Sequence, residues 1–369
     1  MLNIKTKNST LLGPLQFVTG IVERRHTLPI LSNVLIEVID QSVHFLATDL
    51  EVQIKASAKL DTPHKPGSLT VGAKKLQDIL RALPPDADTA LDTKESRLTI
   101  KAGKSRFALQ TLAATDYPKI AEAKDHATEF SLPQREFKRV LGLVQFAMAV
   151  QDIRYYLNGV LLSTDGDTLR VVATDGHRLS MAQYKLAEPV AKIDAILPRK
   201  TVLELIKLID ESDDPINLTM HQNQVKFTFT GIEIVSKIVE GKFPDYTKVI
   251  PTGYTNHVSL NRAEFQGALQ RASILSNDKI RGVRLVFTKD SLSIICSNNE
   301  QEEAEESLPI PYEREALDIA FNIAYLLDVL SHLSTETIQL SLGEANMSSA
   351  LMTQPGSDNF KYVVMPMRI

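Results

Sequence analysis

Residues 155–181 read YYLNGVLLSTDGDTLRVVATDGHRLSM. Val160, Leu161 and Leu162 form one apolar run, Asp165-Gly166-Asp167 supplies turn residues, and Leu169, Val171 and Ala173 alternate with Arg170, Val172 and Thr174. A short apolar run, a Gly/Asp turn and a second β-rich run predict a β-hairpin. The same order recurs in residues 29–54, PILSNVLIEVIDQSVHFLATDLEVQI, and in residues 280–306, IRGVRLVFTKDSLSIICSNNEQEEAEE. The chain reads as three copies of one unit.

Working outward, a helical segment follows each hairpin at the same distance. Lys75, Lys200 and Ala324 lie 26, 25 and 26 residues beyond Asp49, Asp175 and Asn298. Segments 74–83, 199–209 and 321–333 carry apolar residues at i, i+3, i+4 and i+7, the period of an amphipathic helix. Another helix candidate precedes each hairpin, at 8–22, 134–149 and 261–275, and β-rich stretches at 105–120, 234–250 and 348–369 close the copies. Each copy therefore reads helix, strands, helix, strands. The predicted fold is α+β, three tandem similar domains over 1–125, 126–253 and 254–369, with boundaries in the polar stretches 121–128 and 252–256. Paired helices backed by antiparallel sheet are the usual solution for such a pattern.

A chain of 369 residues with 43% hydrophobic and 23% charged content is a folded protein with more than one core. No apolar run approaches the 18 residues a spanning helix needs, and MLNIKTKNST lacks the apolar segment of a secretory signal. The sole cysteine, Cys296, sits in an apolar strand pattern and has no internal partner, so a reducing cytoplasm is the expected location. A net charge of −4 gives no bulk signal for nucleic acid, but its distribution does. The six helix candidates hold eleven Lys and Arg against five Asp and Glu, so they carry +6 and the rest of the chain −10. Helices gathered on one surface would make it a phosphate-attracting face. Against that, Lys and Arg favour helices on any solvated surface, and the first and last candidates contain neither.

Catalytic patterns are weak. Asp175 and His177 could belong to an acid/base pair, yet Gly176 between them argues for a turn, and the other copies carry Thr48-Asp49-Leu50-Glu51 and Ser297-Asn298-Asn299-Glu300 at this place. Gly103-Lys104-Ser105 ends like a phosphate loop, but Leu98 stands where that pattern needs glycine. No catalytic, metal or cofactor site is expected. The acidic run 300–306 and the basic, apolar set Lys104, Arg106, Phe107 and Leu109 fall on β-rich edges of different copies. Unlike edges associate head to tail, and a closing rotation turns that into a ring.

With these residues assembled, the chain resembles the β subunit of bacterial DNA polymerase III, the sliding-clamp family. The resemblance runs end to end, through TLPIL (27–31), QDIRYYLNG (151–159), VATDGHRL (172–179), FPDY (243–246), RGVRL (281–285), EQEEAEE (300–306) and YVVMPMR (362–368). It implies a non-catalytic, head-to-tail dimeric ring whose helices line a hole around duplex DNA, tethering the polymerase so that it rebinds as an intramolecular event. The implied DNA-facing residues are Arg25, Gln151, Tyr155, Tyr156, Arg199, Lys200, Arg281 and Arg284. The implied peptide groove is Leu157, Thr174, Gly176, His177, Arg178, Leu179, Pro244, Val249, Val363, Val364, Met365, Pro366 and Met367, with His177 and Arg178 donating to peptide carbonyls. It would receive short hydrophobic peptides of the DNA polymerase III alpha and clamp-loader subunits, other DNA polymerases and repair proteins. The implied ring joint sets Lys75, Lys104, Arg106, Phe107 and Leu109 against Ile274, Leu275, Glu300, Glu302, Glu303, Glu305 and Glu306. Two positions depart from the family's habit: Lys248 stands where an Arg is common, and Ile369 where a Leu is. An enzyme centred on Asp175 and His177, and a monomeric scaffold for protein partners, are the competing readings.

Overall fold

The computed structural model describes residues 2–23, 28–343 and 348–368. Within them six helices coincide with the expected segments, α2 starting one residue early: α1 (Asn8–Thr19), α2 (Ala73–Ala82), α3 (Gln134–Gly142), α4 (Arg199–Leu208), α5 (Arg262–Ala272) and α6 (Ile323–His332). Each begins directly at the end of a strand, so the chain changes period from two to 3.6 without a loop. Asn261 and Asn322 make that change by capping: their side-chain oxygens accept from Ala263 and Glu264 N–H and from Ala324 N–H. Several strands were not foreseen, among them the first of each copy. Each copy opens with a short strand, Asn3–Lys7, Thr128–Pro133 or Asn256–Asn261, ahead of its first helix. Five or six largely polar residues bury too few side chains to announce themselves in a sequence.

The chain divides into two compact units. The first joins Met1–Arg135 to Leu203–Ile238. Its frame is a twelve-stranded antiparallel sheet that runs from Asn3–Lys7 to Thr128–Pro133. Near its middle, strand Val52–Lys59 of the first copy pairs with Ile232–Lys237 of the second, from Ile232↔Ala56 to Ser236↔Val52. This ladder is why the unit takes in part of the second copy. Leu11, Leu15 and Val18 of α1 and Leu76 and Leu80 of α2 are fully buried, each Leu contributing about 2 kcal/mol. Gln77 Nε2 ties the two helices by donating to Thr19 Oγ1 at 2.7 Å. Elsewhere in the unit Leu35 and Leu46 pack with Tyr117, whose hydroxyl donates to Asn33 O at 3.0 Å and is pushed up to about 12 by burial.

The second unit joins Glu136–Val202 to Val239–Ile369 and holds two antiparallel sheets. In the six-stranded sheet, strand Arg178–Pro198 of the second copy pairs with Ser357–Val364, the last strand of the chain, from Arg178↔Val364 to Ala182↔Phe360. That ladder brings VATDGHRL against YVVMPMR. The four-stranded sheet runs Glu303–Pro309, Ser291–Ser297, Gly282–Thr288, Leu317–Asn322. Phe265 and Leu269 of α5 and Leu326 and Leu330 of α6 are buried, as are Phe287, Ile294 and Cys296 of this sheet. The hairpin expected at Asp165-Gly166-Asp167 is altered. Gly159–Thr174 is one continuous strand that shifts register on both sides of Gly166, which sits at φ +60°. The tight turn lies further on, at Asp175-Gly176-His177, where Thr174 pairs with Leu179.

Candidate functional site

The turn after Thr174 has a counterpart in each copy. Thr174 Oγ1 donates to Arg178 O at 2.6 Å and accepts from Gly176 N–H, while Asp175 Oδ1 accepts from the N–H groups of His177 and Arg178. Thr48 and Asp49 make the same bonds with Val52, Leu50 and Glu51. Asn298 Oδ1 accepts from Glu300 and Glu302 N–H in the third copy. The aspartate is thus a turn residue that satisfies backbone donors. Its second oxygen accepts from Arg178 Nε at 3.1 Å, so both carboxylate oxygens are engaged within the turn itself. Among the described residues no three His, Cys, Asp or Glu side chains gather as a metal set.

Arg178 is where the second copy departs from the others. Its side chain is only 9% exposed, and three segments hold it. Besides Asp175, Nη1 donates to Asp328 Oδ2 of α6 at 2.5 Å and Nη2 to Phe146 O at 2.7 Å. The guanidinium carbon lies 4.3 Å from the ring centroid of Tyr325 and 5.7 Å from that of Phe146. Burial works against its charge, yet the Tyr362 hydroxyl, Asp328 and Asp175 more than offset it and hold the pKa above the ordinary value. Three of its five N–H groups are engaged in this way, and Arg178 still lines the pocket described below. It fastens the turn.

Beside this turn lies a pocket of about 200 Å³. Ten of the thirteen expected groove residues line it: Leu157, Thr174, Gly176, His177, Arg178, Leu179, Pro244, Val249, Val363 and Met365. Its floor belongs to an apolar cluster with Leu161, Val172, Met181, Ile196 and Phe243 at the centre. Met365 N–H donates to His177 O at 2.9 Å, which joins the turn to the end of the last strand. Three expected residues fall outside the lining. Val364 is buried in the ladder opposite Arg178, Pro366 is half-buried, and Met367 bridges to Ala320 through its N–H. Three residues were missed: Arg154, Tyr156 and Tyr246. The strings QDIRYYLNG and FPDY contain all three, so the signal was present. Arg154 is locked by Asp152, whose Oδ2 accepts from Nη2 at 2.8 Å, and this bond holds the Asp152 carboxyl down at about 2.

The other expected residues are dispersed. Arg25 lies outside the described residues. Gln151 and Tyr155 are exposed on one loop, Tyr155 at 73%, while Tyr156 turns into the pocket wall. Arg199 and Lys200 form the first turn of α4. Arg281 is exposed at φ +51°, and Arg284, on the exposed side of its strand, pairs with Asp318 at 2.5 Å. Of the helix cations counted earlier, Arg135, Arg139, Lys207 and Arg271 are engaged in ion pairs, whereas Lys74, Lys75 and Arg81 of α2 have none among the described residues.

Among the open strand sides, two carry the residues expected at the ring joint. Ser105–Leu112 pairs fully with Arg97–Ala102 but meets Gly67–Gly72 only at Thr70↔Leu112 and Val71↔Thr111. Lys104 and Arg106 are exposed there, with Phe107 and Leu109 half-buried, and Lys75 and Leu109 line a cleft beside it. Glu303–Pro309 is the edge of the four-stranded sheet. Glu300, Glu302, Glu303 and Glu305 are exposed, Leu275 is half-buried and Ile274 is 76% exposed. Glu306 differs: it faces α5, where Arg271 donates to both its oxygens at 2.9 and 2.7 Å.

Family models of the DNA polymerase III beta subunit match the chain in three consecutive blocks: the N-terminal domain over residues 2–121, the central domain over 131–245 and the C-terminal domain over 247–368. The beta sliding clamp of Pseudomonas putida is 44% identical over 366 residues, covering 98% of this chain and 99% of the relative. The crystal structure of the DNA polymerase III subunit beta from Pseudomonas aeruginosa superposes with a TM-score of 0.96 at 43% identity, over 100% of both chains. A sliding clamp from the same organism bound to griselimycin superposes equally well, at 0.96 and 43%, over 100% of this chain and 99% of that one.

Proposed function

This chain belongs to the DNA polymerase III beta subunit family, the non-catalytic sliding clamps that encircle duplex DNA and tether the polymerase, and we propose that it works as a head-to-tail homodimer with the pocket beside Arg178 as its docking groove. The observation that carries the groove assignment is the convergence of ten expected residues on one apolar pocket. Exposed Met365 and Val249 at its mouth suit an adaptable lining that accepts several partners. Its occupants are short hydrophobic peptides of the DNA polymerase III alpha and clamp-loader subunits, other DNA polymerases and repair proteins, met in the cytoplasm. The domains run 1–125, 126–253 and 254–369.

The ring joint uses the two open strand sides. An edge with unpaired backbone groups is a template for another strand. Basic residues beside one and acidic residues beside the other set register and encounter rate, and Phe107, Leu109, Ile274 and Leu275 supply most of the binding. Glu306, already held by Arg271, serves the protomer's own fold. Toward DNA, support comes from α4. Arg199 and Lys200 stand at a helix N-terminus, where the macrodipole already disfavours cations and favours phosphate. Contacts of this kind are sequence-independent and weak enough to slide.

Griselimycin titration tests the groove. The unsubstituted protein binds it, and Val249→Asp, which sets a charge in the pocket mouth, loses that binding while keeping its sedimentation mass. Undiminished binding by Val249→Asp would contradict the assignment.

A further inference from the structure

We propose that Asp328 of α6 is a positioning residue for the groove: through Arg178 it holds the Thr174–Arg178 turn in the conformation that receives a peptide. This deepens the groove reading and rests on it. Asp328 does not line the pocket, yet two of the pocket's walls hang from its neighbourhood.

The first wall is the turn. Of the three acceptors around Arg178, Asp175 is local and accompanies the turn wherever it goes, and Phe146 O is neutral. Asp328 is the one charged acceptor that comes from another segment, 150 residues away in the chain. Tyr325, one helical turn before Asp328 and so on the same side of α6, presents its ring to the same guanidinium at 4.3 Å. The second wall is the last strand. The Tyr362 hydroxyl donates to Tyr325 O at 2.8 Å, and the residues that follow it, Val363 and Met365, line the pocket. Residues 325–328 of the third copy thus fasten both walls, and the Met365–His177 bond closes the frame between them. A charge-assisted bond is roughly twice as strong as a neutral one. Neutralising Asp328 would leave the guanidinium with a weaker distant anchor and let Gly176, His177 and Leu179 drift relative to Val363 and Met365.

The test is griselimycin affinity of the full-length protein. Asp328→Asn is expected to bind about tenfold more weakly, and Asp328→Glu, which keeps the carboxylate on a longer arm, to recover part of the loss. Neither changes the sedimentation mass. A merely structural loss would not be restored by the longer acid, so Asp328→Glu as weak as Asp328→Asn would overturn the proposal. Parent-like binding by Asp328→Asn, with binding lost in Val249→Asp, would overturn the positioning role and leave the groove standing. Parent-like binding by both variants would overturn the groove reading and this proposal together.

Discussion

The turn Thr48–Val52 and the turn Thr174–Arg178 are the same object built twice, and only one became part of a site. Both hold their backbone through a threonine hydroxyl and an aspartate that accepts two N–H groups. They differ at three positions. Leu50 sits at φ +77° where the second copy has Gly176 at +90°, Glu51 stands for His177, and fully buried Val52 stands for Arg178. The first turn buries its last side chain in apolar surroundings; the second buries a cation and draws Asp328, Tyr325 and Phe146 around it. Backbone geometry therefore belongs to the repeat, and function to the side chains grafted on it.

The largest expected effect that separates the two turns is removal of the buried cation. Arg178→Ala removes the donor shared by Asp175, Asp328 and the Phe146 carbonyl, at a cost of about 2 kcal/mol, and should weaken griselimycin binding by roughly two orders of magnitude. Val52→Ala, a cavity change of about 2 kcal/mol, should lower the melting temperature and leave binding as it was. Calorimetry and fluorescence titration on both variants check this; equal effects on binding would erase the contrast.

The next pair concerns the turn's positive φ. Gly176→Ala meets left-handed strain and sets a Cβ 3.2 Å from the Arg154 guanidinium, so it should cost about 1–2 kcal/mol and weaken the groove. Leu50→Gly relieves the matching strain, and the gain and the added chain entropy should nearly cancel in a melting curve.

The smallest effect is that of pH on the Arg154 wall, which the first turn has no equivalent of. The Asp152 carboxyl is held at about 2 by its bond to Arg154, below its ordinary 3.8. A depressed carboxyl stabilises the fold above its unfolded value and loses that contribution as pH falls through the folded one. Griselimycin affinity should therefore be alike at pH 7 and pH 5; a fall between them would mean that another group controls the wall.

How much of this was legible in the chain varies with distance along it. Six helices and the three-copy plan were readable because periodicity is local, as at Leu76 and Leu80 of α2. The leading strands were not, since Asn256–Asn261 carries only two apolar residues, Val258 and Leu260, in a six-residue run. Ten groove residues were placed by family strings, yet the anchoring of Arg178 was not legible, because nothing near it in sequence betrays Asp328, Tyr325 or Phe146. The helix charge of +6 likewise overstated the free cations, since the partners of Arg135 and Arg271, Asp213 and Glu306, lie outside the helices.

The most direct test of the clamp reading is topological. The protein is loaded with its clamp loader and ATP onto nicked circular DNA, the complex is isolated, and the circle is cut once. A dimeric mass, retention in high salt before the cut and release after it are the expected results. Protein that stays on the linear DNA and leaves only as salt rises would be held by charge rather than by encirclement, and the ring would be contradicted.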